Sequence, residues 1–193
     1  MNIATHLLIC KKVYDDLSAY MEHDISLPYL LWGSIKPDIV KNNISHFKDD
    51  MLYLFYQKLE TLKKMDYKNN SYKYSLELGE IFHYLCDYFT YAHNNKKFKK
   101  FFPHAKYENK LHKTAKIIIN SLHFSPNIDY KYFSFVEIIE QKHKLYLSSV
   151  SSYQNDINFS YKIMLLVALK LNYLKDSVGF AKEEVPRLFN ISW

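Results

Sequence analysis

The sequence predicts an all-α fold, a single compact multi-helix domain over residues 1–193, and three observations carry it. Long segments rich in Leu, Lys and Tyr place their apolar residues at helical spacing. Only 3 Gly and 5 Pro occur, few for an all-β protein with many tight turns. A chain of 193 residues has the usual size of one domain and can bury a real core.

The elements follow in chain order. Ile3 to Tyr20 reads as a first helix with Leu7, Leu8, Val13 and Leu17 on its buried side. His6 shares a face with Cys10 and Val13, which leaves it as either a packed histidine or a ligand. Ser26 with Pro28 marks a helix start, and Leu27 to Leu31 a short helix. Trp32-Gly33-Ser34-Ile35-Lys36-Pro37-Asp38 then reads as a loop, where Asp38 is free to aim inward or to serve as an ordinary turn residue. His46 lies in a polar connector whose Ser45 caps a helix over Lys48 to Met65. After the break Asp66 to Ser71 comes a long helix carrying Tyr74, Leu78, Ile81, Phe82, Leu85 and Phe89. Gly79 inside it costs about 1 kcal/mol relative to Ala, so close approach by another backbone or a ligand is expected there. A charged link, Asn94 to Lys100, leads to a helix starting near Pro103. Two more helices are expected over Ser134 to Ser149 and Ile157 to Ser177, the second apolar almost all round between Ile163 and Leu171. Gly179 to Trp193 reads as an irregular tail.

The net charge of +6 favours anionic partners such as phosphate, nucleic acid or acidic lipid. It is discounted because Asn, Lys, Ile and Tyr are over-used together, as genome base composition produces. Cys10 and Cys86 make no disulfide framework and suit a reducing compartment. No secretory signal is visible: the apolar run Ile3 to Cys10 is short, contains His6, and is followed rather than preceded by Lys11 and Lys12. Ile163 to Leu169, the longest apolar run, is far too short to span a bilayer. The expectation is a soluble, cytoplasmic protein.

Chemistry concentrates between Leu78 and Glu108. His83, Asp87, His93, His104 and Glu108 follow the spacing H-x3-D-x5-H-x10-H-x3-E. Imidazoles and carboxylates hold zinc, and two of these pairs stand four residues apart, on one helix face each. His93 would lie about 15 Å beyond His83 on one straight helix, so it points to a second metal unless the helix ends or bends. His83 and Asp87 alone leave a first metal short of ligands, and Asp38 and His46 upstream are candidates to complete it. Cys86 points about 100° away from Asp87 and is read as a buried thiol. His112 lies four residues beyond Glu108, as a substitute ligand or a group behind the ligands.

In this order the motifs LG-x3-HYL-x-D-x5-H and H-x3-E resemble the core motif of bacterial zinc-dependent phospholipases C. WGSIKPD followed by His46 is similar to that family's G-x3-PD segment and its ligand histidine, and His6 to its first histidine. A more distant likeness reaches fungal single-strand-specific zinc nucleases. The resemblance implies two or three Zn²⁺ ions. One would be surrounded by Asp38, His46, His83 and Asp87, and a second by His93, His104 and Glu108. A third would be held by His6, by Asp87 as a bridge, and by the amine and carbonyl of Met1. Secreted members expose a new terminal Trp by processing, whereas this chain starts at Met1, whose own amine would have to serve.

The resemblance implies a zinc-dependent phosphoric ester hydrolase, cleaving a phosphodiester with metal-activated water and with Asp38 as general base, metal ligand or both. Three zinc ions would outweigh the charge of Asp38, Asp87 and Glu108, which suits an anionic phosphoester, including a phospholipid at a membrane surface. A nuclease or phosphatase on the same scaffold is the nearest alternative, with Tyr84, Tyr88, Phe89 and Tyr91 as base-stacking candidates that also suit core packing. A non-catalytic, zinc-stabilised helical protein is the third.

Overall fold

The computed structural model describes residues 1–18, 20, 25–40, 48–66, 69–123 and 133–179. Its elements are α1 (Ile3–Leu17), α2 (Leu27–Ile39), α3 (Lys48–Lys64), α4 (Ser71–Tyr88), α5 (Tyr91–Asn94), α6 (Phe101–Ile118), α7 (Phe135–Ser148) and α8 (Tyr153–Gly179). Two short 3₁₀ turns, Lys96–Lys99 and Ile119–Ser121, precede and follow α6. No strand occurs among the described residues, and the fold is all-α. No described helix is long and apolar enough to cross a membrane.

Local chemistry sets several boundaries. The Asn2 side chain accepts the Thr5 N–H at 2.9 Å and starts α1, whose buried face is His6, Ile9, Cys10, Val13 and Leu17. Ser134 and Glu137 form a reciprocal capping box that starts α7. Ser152 accepts the Asn155 N–H at 3.1 Å, so α8 begins at Tyr153, earlier than the expected Ile157. The expected tail from 180 onward, with Trp193, lies outside the described residues, as do Ser45 and His46.

One expectation is overturned. WGSIKPD is not a loop: α2 continues through Gly33 and Pro37 to Ile39. Pro37 removes only the N–H that would have served the Gly33 carbonyl, and it sits in the last turn, where few further helical bonds depend on it. Gly33 serves contact rather than a turn. A Cβ there would stand 2.1 Å from the Leu76 carbonyl oxygen, and one on Gly79 would stand 2.2 Å from the Leu30 carbonyl oxygen. The two glycines let the backbones of α2 and α4 touch, which is the reason the sequence suggested for Gly79.

An ion-pair network holds the same crossing. Glu80, buried, takes Lys36 of α2 and Lys58 of α3 at 2.6 Å each, and Lys58 also reaches Glu77 at 2.8 Å. Burial raises the pKa of Glu80, but the two lysines outweigh it and keep the carboxylate ionised. The crossing fixes the register of α2 on α4, and so the position of Asp38 against His83.

α4 and α8 are the central helices. α4 is buried at every residue from Leu78 to Tyr88 and packs on α2, α3 and α8. α8 is buried almost all round between Ile157 and Leu171, as its sequence predicts, and touches α1, α3, α4, α6 and α7. At its start Asp156 is fully buried, and Oδ2 accepts the Tyr91 N–H at 3.0 Å and the Tyr107 hydroxyl at 2.8 Å. Oδ1 accepts the Tyr146 hydroxyl at 2.8 Å.

Burial pushes the Asp156 pKa from 3.8 up to about 6, against the pull of those three hydrogen bonds. A carboxyl raised by folding contributes stability that is present below its unfolded pKa and lost as pH rises through the folded one. Between about pH 7 and pH 4 the stability difference between metal-free wild type and Asp156→Asn should therefore move by about 2 kcal/mol in favour of wild type. Denaturant titration at the two pH values measures this, and a pH-independent difference would show that the carboxyl titrates normally.

Candidate metal centre

Each donor reaches the centre from its own segment. His83 and Asp87 come from one face of α4, one helical turn apart. α4 then ends at Tyr88, and the Thr90 hydroxyl bonds back to the Cys86 carbonyl at 2.7 Å. The chain turns into the four-residue α5, which brings His93 Nε2 back to 3.3 Å from Asp87 Oδ1. The straight-helix separation of about 15 Å between His83 and His93 therefore does not exist, because the helix ends between them. His104 and Glu108 come from one face of α6, with His104 Nε2 2.9 Å from Glu108 Oε1.

α1 supplies the other side. Its first turn docks on α6 through Thr5, whose hydroxyl lies 3.2 Å from His112 Nδ1. This places the Met1 amine, fully buried, in a bond to Asp87 Oδ1, 3.1 Å from His93 Nε2 and 3.3 Å from Glu108 Oε1. One turn on, His6 Nε2 lies 3.3 Å from Asp87 Oδ1, and its ring stacks on His83 with centroids 4.3 Å apart. Asp38 comes from the last turn of α2, 4.0 Å from His6 Nε2 and 3.8 Å from His83 Nε2.

Two groups of three donors result among the described residues. His6, His83 and Asp87 offer ligand atoms all within 4.8 Å of one another, and so do His93, His104 and Glu108. Asp87 joins the groups: Oδ1 faces His6 and His93, and Oδ2 lies 3.4 Å from His83 Nε2. Of the nine residues singled out from the sequence, eight converge here, and His46 lies outside the described residues. His112 belongs to neither group. Cys86 is a buried thiol beside Met164, as expected. Tyr84, Tyr88 and Phe89 are buried in the core, so these three side chains are not offered to bases.

The residues fit a cation such as zinc. Neither buried ring nitrogen of His6 makes a hydrogen bond of good geometry, and a cation beside Asp87 would satisfy Nε2. His83 Nδ1 donates to the Ser34 carbonyl at 3.0 Å, which fixes the tautomer and leaves the Nε2 lone pair for the centre. The Phe98 carbonyl holds His104 Nδ1 in the same way at 3.2 Å. Sequence reasoning had no signal for these two carbonyls, since backbone oxygens carry no sequence pattern.

Electrostatics agrees. Burial first, then the neighbouring Met1 ammonium, lowers the His6 pKa, and burial with His6 beside it lowers that of His83 to about 3. Both imidazoles are therefore neutral near pH 7, the form that binds metal. Burial alone would lower the Met1 amine, but Asp87, Glu108 and Asp38 overcome it and raise the pKa to about 11. Burial also opposes ionisation of Asp87, and the surrounding His93, Met1, His83 and His6 outweigh it, so the carboxylate stays well below its usual range. Without a metal, the ammonium of Met1 is the cation that this anionic pocket holds.

No curated protein and no solved structure matches the chain. A family model described as zinc dependent phospholipase C matches residues 5–153, which include every donor of the two groups. With most of its length inside that match, and the donors gathered as described, the chain belongs to the zinc-dependent phospholipase C family.

Proposed function

We propose that the protein is a phosphoric ester hydrolase of the phospholipase C type, cleaving a phosphodiester with water. The observation that carries this reading is the pair of three-donor groups joined by Asp87, with Asp38 at their more exposed side. His6, His83 and Asp87 would hold one zinc, and His93, His104 and Glu108 another. The buried Met1 amine beside Asp87 supports a third. His46 remains assigned to the Asp38 side by the resemblance. Zinc, when bound, supplies Lewis-acid polarisation of the phosphoryl group and makes water more acidic.

The chain's own residues do the rest. The Asp38 side chain is 24% exposed while that of Asp87 is 1% exposed, so of these two carboxylates Asp38 is the one open to water and substrate. Its carboxylate would take the proton of the attacking water, or share in binding. The side chains of His104 and Glu108 are also partly open, so the second group too is reached from solvent. The carbonyls of Ser34 and Phe98 keep both imidazoles aimed inward while this happens.

The test is zinc content together with release of phosphocholine or phosphoethanolamine from mixed micelles, with single-stranded DNA and RNA assayed in parallel. Turnover is expected, and Asp38→Asn should lower it by about a hundredfold or more. Three zinc ions per chain support the role given to Met1, and two remove it. If the zinc-loaded protein turns over no phosphoester, and Asp38→Asn changes neither zinc content nor stability, the hydrolase reading fails and a structural zinc protein is left.

A further inference from the structure

The second donor group rests on little regular structure. His93 lies in α5, which has four residues, and an isolated turn of helix has no stability of its own in water. What holds α5 in place is therefore part of how the centre is built. Asn94 caps it from inside, donating to the Tyr88 and Thr90 carbonyls at 2.8 and 3.0 Å. His143 of α7 in turn lies 3.0 Å from Asn94 Oδ1, and a further anchor is Asp156, at the start of α8 and just beyond the residues that the family model matches.

One oxygen of that carboxylate binds both segments of the second group. Oδ2 accepts the Tyr91 N–H, two residues before His93, and the Tyr107 hydroxyl, one residue before Glu108. The other oxygen accepts only from Tyr146 on α7, a helix that carries no donor of either group. A carboxylate is an unusual residue for this position. It is fully buried in a mostly apolar helix, and burial opposes its ionisation. Such a cost is ordinarily tolerated only where the hydrogen bonds do something that an apolar residue cannot.

We infer that Asp156 is a positioning residue of the metal centre: through Tyr91 and Tyr107 it clamps α5 and α6 together and so sets His93 against His104 and Glu108. It touches no donor itself and acts through the two segments. The inference rests on the zinc reading above. It extends the centre to a third layer: the donors, the carbonyls behind His83 and His104, and a buried anion behind the backbone of the second group. The His6, His83 and Asp87 group has no such tie to Asp156 and should not depend on it.

Tyr107 and Tyr146 provide the test, because they are alike in burial and in the bond each makes to Asp156, and differ in the segment that they hold. They are 9% and 6% exposed, and each donates one 2.8 Å hydrogen bond to the same carboxylate. A residue that merely stabilises the fold would feel the two losses equally. Zinc affinity of the full-length chain is measured by competition with a chromophoric chelator, and melting of the metal-free protein is recorded beside it. Tyr107→Phe should weaken one zinc by about tenfold, the usual consequence of losing a group behind the ligands, while Tyr146→Phe leaves every zinc within about twofold. Both should lower the melting temperature alike. Asp156→Ala should lose that zinc, and Asp156→Asn should restore it, since its carboxamide oxygen can still accept from Tyr91 and Tyr107. Equal zinc affinities in the two tyrosine variants, or loss of the zinc in Asp156→Asn as well, overturn the inference. Wild-type protein that binds no zinc overturns the zinc reading and this inference together; wild-type protein that loads zinc while the tyrosine variants behave alike overturns the inference only.

Discussion

Asp87→Ala is expected to lose more than one zinc ion per chain. Asp87 belongs to the first donor group and reaches the second: Oδ1 lies 3.3 Å from His6 Nε2 and from His93 Nε2, and Oδ2 lies 3.4 Å from His83 Nε2. It also bonds the buried Met1 ammonium, whose charge is retained largely because of the carboxylates around it. If Asp87 bridges as proposed, removing the side chain would take a ligand from each ion; it also leaves a buried cation whose remaining partner is Glu108 at 3.3 Å. Breaking a buried pair in this way costs about 3 kcal/mol or more in the metal-free protein. Zinc per chain after gel filtration reads the first effect, with Asp87→Asn as the variant that keeps the shape. Loss of a single ion in both variants would show that Asp87 does not bridge.

Gly79→Ala is expected to lower stability by about 3 kcal/mol, or about 10 °C in melting temperature. The sign is what makes this informative. In an unobstructed helix interior the same change stabilises by about 1 kcal/mol. Here the added methyl would stand 2.2 Å from the Leu30 carbonyl oxygen and 2.9 Å from Gly33 Cα, both backbone atoms that cannot rotate away. α2 would have to lift from α4, carrying Asp38 and the Ser34 carbonyl away from His83. A melting temperature that rises in Gly79→Ala would mean that the helices do not touch there. Gly33→Ala meets the Leu76 carbonyl at 2.1 Å and should behave in the same way.

The helices were legible because their cause is local. Apolar spacing, with Pro103 as a start signal for α6, placed α1, α3, α4, α6, α7 and α8 close to where they occur. The error came where two local signals pointed to a loop and a tertiary contact outweighed them. Gly33 and Pro37 ordinarily punctuate a chain, but the packing of α2 on α4 needs a residue without Cβ at Gly33, and Pro37 near a helix end does little harm. Gly79 was read correctly for the same physical reason that Gly33 was misread.

The centre divides along the same line. Sequence by itself determined the two pairs His83 with Asp87 and His104 with Glu108, because four-residue spacing on a helix is a property of the chain next to itself. It also determined the chemistry of the donors, and with it the expectation of zinc. Only the tertiary structure decided that α4 stops at Tyr88 so that His93 returns to Asp87, and that His6 stacks on His83. It alone decided that Asp156, 65 residues beyond Tyr91, holds the second group from behind. These depend on which distant backbones can approach closely and which buried polar atoms then find partners. That is settled by packing the whole core at once, and no window of the sequence contains it.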